Sequence, residues 1–292
     1  FIPYDYKLYD CKDHLRTDIA IDFLNKKEDE SPFFLFMSYR APHSFEGPIR
    51  DTLLYADKGW PEIERVHAAK ITLLDKQVGR LLEKLKEINQ LDNTLILFTS
   101  DNGPHYAKDG HELEFFDSNG QFKGGKRDLY EGGIRVPLIA YWDQNILPGS
   151  VSNHVSSFQD IMPTFSEIIG FENVHDTDGI SFLPTLLSKR QKKHKFLNWE
   201  FQLSGWFQTI PNGGFRQSVR LENWKAVRYN LNSDIELYNL KNDPGETKNI
   251  AKLHPNIINR VDSIFKISRT DAAGFPYGGV KQDYKSMDVY DF

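Results

Sequence analysis

The stretch Thr94-Leu95-Ile96-Leu97-Phe98-Thr99-Ser100-Asp101-Asn102-Gly103 constrains this chain more than any other. Its apolar run stops abruptly at Ser-Asp-Asn-Gly. A run so apolar over so few residues predicts a strand buried on both faces, as in a parallel sheet. Gly103 and Pro104 then force a turn. Asp101 and Asn102 fall just past the carboxyl end of a central strand, where open α/β sheets place their ligands. A carboxylate beside an amide oxygen offers hard donors, suited to Ca²⁺ or Mg²⁺ rather than zinc. The same dipeptide can also close a turn on its own hydrogen bonds, so the surroundings have to decide.

At 292 residues there is room for one large domain and a smaller one. A formal charge of -5 without a dominant basic face gives no reason to expect nucleic acid binding. The single cysteine, Cys11, excludes an internal disulfide framework and, in a polar stretch, reads as a spectator thiol. No run is long enough to span a membrane, and no signal peptide is present. The chain opens on Phe1 rather than Met, which suggests a processed product or fragment whose front carried any targeting signal.

Ile19, Ala20, Phe23 and Leu24 recur at helical spacing over 16–25, with Thr17 or Asp18 as N-cap. Pro32 to Ser38 predicts a second buried strand, running into Ala41-Pro42-His43. Pro61 opens a helix to about Asn89, with Leu74, Val78, Leu81, Leu85 and Ile88 on one apolar stripe and Asp75, Lys76, Glu83 and Lys84 in solvent. Strand, helical crossover, strand implies parallel neighbours, which would put His43, Asp101 and Asn102 on one rim of the sheet. Residues 104–127 form a long loop, Val136 to Trp142 another buried strand, and Phe158 to Ile169 a helix stopped by Gly170. The basic break at 189–195 reads as a domain boundary. Beyond it, Lys195 to Phe201, Gln217 to Leu221, Trp224 to Tyr229 and Ile235 to Leu240 predict a small antiparallel sheet, followed by a helix from His254-Pro255 to Ile267. The expected architecture is α/β, a mostly parallel sheet flanked by helices over 1–188, with a C-terminal antiparallel α+β subdomain over 189–292.

A further cluster runs from Phe122 to Pro137 and holds Lys123, Gly124, Gly125, Lys126, Gly132 and Gly133. Glycines admit close backbone approach, and a lysine near a divalent cation suits a tetrahedral oxyanion. A glycine-rich surface loop with solvated lysines is the alternative.

Taken in order, these segments resemble the later part of a type I sulfatase of the alkaline phosphatase superfamily. The series is Ala41-Pro42-His43; Leu74-Asp75 with Val78-Gly79-Arg80; Ser100-Asp101-Asn102-Gly103; and Lys126 with Tyr130 to Pro137. Asp178 to Pro184, Val219-Arg220 with Trp224-Lys225, and Glu236 to Leu240 before Asp243-Pro244-Gly245-Glu246-Thr247 complete it. The resemblance implies that Asp101 and Asn102 complete a Ca²⁺ or Mg²⁺ site, that Lys126 contacts the sulfate, and that His43 protonates the departing alcohol. His105, Lys108 and His111, in the loop beyond, are candidates to contact a sugar ring or a second anionic group. Trp199, Glu200, Trp206 and Arg216 could wall a carbohydrate cleft or pack internally.

The family's formylglycine motif, Cys/Ser-X-Pro/Ala-X-Arg, is absent, since Cys11 is followed by Lys12-Asp13-His14-Leu15. The remaining metal ligands are expected in the same early region. The implied function is hydrolysis of a sulfate ester on a sulfated carbohydrate by the complete protein, in the periplasm or outside the cell. The chain alone, with part of a site, is expected to be inactive. A phosphate-ester or phosphonate hydrolase and a non-catalytic glycan-binding remnant are the competing readings.

Overall fold

The structure, a computed structural model, describes residues 12–27, 31–43, 52–105, 111–171, 177–202, 214–270, 272 and 277–278. Cys11, Lys108 and Trp206 lie outside them. In chain order the elements are α1 (Asp13–Asn25), α2 (Glu62–Glu87), β1 (Ile96–Thr99), α3 (Leu113–Phe116), α4 (Glu131–Ile134) and β2 (Leu138–Tyr141). They continue with α5 (Ile161–Ile168), α6 (Leu183–Leu186), β3 (Leu197–Phe201), β4 (Arg216–Leu221), β5 (Trp224–Arg228), β6 (Glu236–Asn239) and α7 (Pro255–Ile267). The chain divides into two compact units. One holds 1–97, 105–118 and 140–145; the other holds 98–104, 119–139 and 146–292.

In the first unit α1 packs on α2. Ala20 and Leu24 of α1, and Ala69 and Leu85 of α2, are buried, and Arg80 pairs with Asp18 at 2.6 Å. Helix α1 begins earlier than its apolar spacing suggested, with Lys12 rather than Thr17 or Asp18 at the N-cap. Thr17 is a buried helical residue whose hydroxyl donates back to the Asp13 carbonyl at 3.0 Å, competing with a capping role. The α2 stripe forms as expected, but Lys84 is buried along its stem and reaches Glu87 at 2.9 Å.

The expected strand at 32–38 is not formed: residues 31–40 run without regular pairing, and Phe36 is 78% exposed. Strands β1 and β2 pair in a two-stranded sheet, and Ile139 is 61% exposed. These runs have the composition of strands covered on both faces, but the described residues do not cover them. Composition reports the burial a segment is suited to, not the neighbours it has.

In the second unit the antiparallel sheet runs β3-β4-β5-β6. Glu222 and Asn223 close the β4–β5 hairpin, with Glu222 at φ 55°. One face of the sheet meets α7, where Val219, Leu221, Ala226 and Leu237 pack on Ile257, Val261, Ile264 and Phe265. The other face packs Val227, Tyr238 and Leu240 on Leu129 and Tyr130, just before α4. The sheet therefore buttresses the glycine-rich segment directly.

Leu237→Ala, which opens a cavity in the α7 core, is expected to cost about 2–5 kcal/mol. Ile139→Ala, at an exposed position, should cost less than about 0.5 kcal/mol. Urea unfolding of the chain, followed by Trp fluorescence, compares the two.

Candidate active site

Three expected site residues lie in the second unit and are joined through the backbone. After β1 the chain turns at Ser100, whose hydroxyl donates to the Asn102 carbonyl at 3.0 Å, while the Asn102 amide Nδ2 donates to the Gly103 carbonyl at 2.8 Å. The Gly103 N–H donates to the Gly133 carbonyl at 2.9 Å, and the Lys126 N–H to the Pro104 carbonyl at 2.7 Å. Gly103 lies so close to α4 that a Cβ there would come 1.8 Å from the Gly132 carbonyl oxygen. A Cβ on Gly132 would come 2.2 Å from the Gly124 carbonyl oxygen. The glycines let the strand-end turn, α4 and the Lys126 loop nest into one another.

Lys126 is half-buried. Burial pulls its ammonium below the ordinary lysine range, Arg127 pushes the same way, and the Asp101 carboxylate opposes both. Asp101 and Lys126 therefore interact electrostatically across the nested loops. Lys123, the other lysine of the segment, is committed elsewhere. Its ammonium sits 3.9 Å from the Tyr130 ring centroid, 3.2 Å from the Tyr238 hydroxyl and 3.8 Å from Glu236.

Two sets of residues brace this loop. Asp128 accepts from the Gly125 N–H at 3.2 Å, from Arg216 at 2.8 Å and from the Tyr229 hydroxyl at 3.3 Å. Arg216 also donates to the Arg127 carbonyl at 2.7 Å. Arg216, a candidate cleft wall in the sequence, is thus turned inward. Below α4, Lys225 donates to Glu131 at 2.9 Å, and Glu246 accepts from the Glu131 N–H at 2.7 Å. Lys225 and Glu246 are both buried, and Arg220 lies 3.5 Å from Glu131. The Lys225 and Arg220 charges hold the Glu131 carboxyl below its usual range against the pull of burial. Burial pushes Glu246 up to about 7, although Lys225 opposes it.

His43 belongs to the first unit. The parallel pairing expected to carry it does not form there, and two helices fix it instead. Asp13 of α1, fully buried, accepts from the Ala41 N–H at 2.8 Å and the Arg40 N–H at 3.1 Å. Lys70 of α2 donates to the His43 carbonyl at 2.9 Å. His105 is half-buried in the same unit. His111, expected in an exposed loop against a sugar, is instead buried and stacked on His67 at 3.7 Å. Its Nδ1 lies 3.1 Å from buried Glu64 and its Nε2 3.1 Å from the Ser118 hydroxyl, so both ring nitrogens are engaged within the protein. Burial, reinforced by His111 and Lys70, pulls His67 down to about 4.

Among the described residues no group of three or more His, Cys, Asp or Glu could hold a metal ion. Asp101 and Asn102 fit a part of an oxygen shell, since Ca²⁺ takes six to eight such donors. The Asp101 carboxylate is exposed and takes no hydrogen bond from a described residue. It is chemically available as a hard ligand.

The sulfatase family profile matches residues 2–171, and the profile for the C-terminal part of N-sulphoglucosamine sulphohydrolase matches 118–265. This chain belongs to the sulfatase family. It is 29% identical to the uncharacterized sulfatase YdeN of Escherichia coli K12 over 91% of the chain and 52% of that protein. It is 30% identical to human N-acetylgalactosamine-6-sulfatase over 78% of the chain and 46% of the relative. The sulfatase chain thus spans about half the length of these relatives. The crystal structure of Ps i-CgsB in complex with k-i-k-neocarrahexaose superposes with a TM-score of 0.77 at 25% identity, covering 92% of this chain and 57% of that one. The fold is therefore alkaline phosphatase-like, with the antiparallel sheet as its second part.

Glu246 offers a direct test of the bracing. Its carboxyl keeps a proton up to about pH 7 in the folded chain but only to about 4.5 as an ordinary glutamate. The stability it contributes is complete below that lower value and is lost as pH rises through the upper one. Glu246→Gln keeps an acceptor for the Glu131 N–H and removes the titration. Its unfolding midpoint, relative to the parent, should rise between about pH 4.5 and 7 and stay level below that window. A midpoint difference independent of pH would contradict the assignment.

Proposed function

We propose that the complete protein hydrolyses a sulfate ester on a sulfated carbohydrate. The observation that carries this reading is the nesting of the Asp101-Asn102 turn against the Lys126 loop through the Gly103–Gly133 and Lys126–Pro104 backbone bonds. It brings hard oxygen donors and an ammonium group into one electrostatic neighbourhood, as sulfate-ester cleavage requires. The names of the relatives, an N-acetylgalactosamine-6-sulfatase and Ps i-CgsB in complex with k-i-k-neocarrahexaose, support a glycan substrate.

In this reading Asp101 and Asn102 would supply part of the shell of a Ca²⁺ or Mg²⁺ ion, which when bound would provide Lewis-acid polarisation of the sulfuryl group. Lys126 contacts the sulfate as a compact cation, its ammonium pulled below the ordinary lysine range by burial. His43 delivers a proton to the departing alkoxide, a role suited to an imidazole near neutral pH. The formylglycine nucleophile and the other metal ligands are assigned outside these residues, so the chain by itself is proposed not to turn over.

With the complete protein, Lys126→Ala is expected to lower kcat for a 6-sulfated N-acetylgalactosamine by about 10²-fold or more. Chelation should abolish activity and added Ca²⁺ restore it, whereas Asp101→Asn should need higher Ca²⁺ for half-activation. Faster release of phosphate than sulfate from matched aryl esters would favour the phosphate-ester reading. Saturable glycan binding without turnover of either ester would favour a non-catalytic remnant.

A further inference from the structure

The segment Lys189-Arg190-Gln191-Lys192-Lys193-His194-Lys195 has no part in the proposed hydrolysis. It sets five Lys and Arg residues within seven positions of a chain whose formal charge is -5. All five are exposed. Among the described residues, the segment's ion pair is that of His194 with Asp160.

The strip is not a loose tail. Gln191 and His194, interleaved with the cations, turn inward and brace the backbone. The Gln191 Oε1 accepts from the Thr185 N–H at 3.0 Å and the Thr185 hydroxyl at 2.9 Å, while its Nε2 donates to the Ser181 carbonyl at 2.9 Å. The His194 Nε2 lies 2.9 and 3.0 Å from the two oxygens of Asp160, which is fully buried and also accepts from the Ile180 N–H at 2.7 Å. The Lys189 N–H donates to the Pro184 carbonyl at 2.7 Å. A polyanion binding here meets a backbone already ordered, so less conformational entropy is lost on association.

Beside the strip opens a cavity of about 360 Å³, lined by Lys189, Lys193, Ser150, Ser152, Ser188 and His154 among others. The His154 Nε2 is buried and has no hydrogen-bond partner among the described residues, which leaves a desolvated polar atom beside the recess. Burial lowers the His154 pKa, His194 and Lys193 push the same way, and Asp160 opposes, so the ring stays neutral near pH 7. A recess that combines serine hydroxyls, an imidazole and two lysines suits the mixed hydroxyl and sulfate groups of a glycan. No Phe, Tyr or Trp lines the recess, so it lacks the stacking platform that single-stranded nucleic acid uses.

We propose that the cavity at Lys189, Lys193 and His154, with the braced basic strip beside it, is an accessory site for a second sulfated segment of the polysaccharide substrate. It shares no residue with the Lys126 loop and would hold the polymer while another sulfate is processed. The proposal rests on the sulfatase reading for its ligand class, but its binding test needs no turnover.

The test titrates the complete protein with a heparin-derived hexasaccharide by calorimetry at several salt concentrations. Lys189→Gln with Lys193→Gln should weaken binding by about tenfold and reduce the slope of log affinity against log salt by about two. Lys76→Gln with Lys86→Gln, an equal charge change at exposed positions on α2, should leave affinity unchanged. On a sulfated oligosaccharide the Lys189/Lys193 pair should raise KM several-fold at constant kcat, with no effect on a sulfated monosaccharide. Equal weakening by the α2 pair, or equally tight binding of the desulfated hexasaccharide or of single-stranded DNA, would overturn the proposal. Absence of turnover with hexasaccharide binding intact would instead count against the sulfatase reading and leave the site standing.

Discussion

The candidate site depends on one close backbone approach, that of Gly103 to Gly132 and Gly133. Through it a turn at a strand end and a loop more than twenty residues later become one surface. Backbone groups can interdigitate this tightly only where no Cβ intervenes, and both Gly103 and Gly132 lack the room for one. Each buried N–H still needs an acceptor, and the loops supply them to one another: Gly103 to Gly133, Lys126 to Pro104 and Gly132 to Lys123. The arrangement is therefore specified twice, once by sterics and once by hydrogen-bond satisfaction.

What keeps α4 in position is electrostatic. Lys225, fully buried on β5, meets Glu131 at 2.9 Å and Glu246 at 3.9 Å. Removing one partner of such a group strands a charge in low dielectric, at a cost of about 3–5 kcal/mol. The Glu246 Oε1 has no hydrogen bond, so the network is not fully satisfied. Burial pushes the Glu246 carboxyl upward, with the Glu131 charge adding to it, whereas Lys225, Arg220 and Arg135 together hold Glu131 down against the same burial. The C-terminal sheet thus does more than pack: it presents a buried cation to the helix that positions the site.

Local pattern made the second unit legible. Four strands, the Glu222-Asn223 turn and α7 form where alternation, turn residues and Pro255 placed them, because hairpins and short helices are settled by near neighbours. Asp101, Asn102 and Lys126 could be singled out by residue type and order. The residues that brace them could not. Arg216, Lys225 and Glu246 act across separations of 88 to 115 positions. No periodicity records that a lysine in a strand answers a glutamate in a distant helix. The Trp224-Lys225 and Asp243 to Thr247 segments could be read as strand, turn and family marks, but not as braces of α4. His111 was misread for the same reason, since its partner Glu64 is 47 residues away.

The missing strand at 32–38 carries a different lesson. Hairpin strands bring their own partner, whereas a central strand of a parallel sheet depends on neighbours contributed from elsewhere in the sequence. Phe36 and Ile139 have the chemistry of interior residues and stand largely in solvent, while Val219, Ala226 and Leu237 of the antiparallel sheet are wholly buried. The contrast separates two kinds of information in one chain. The antiparallel part encodes both its strands and the helix that covers them. The α/β part encodes strands suited to cover that the described residues do not provide.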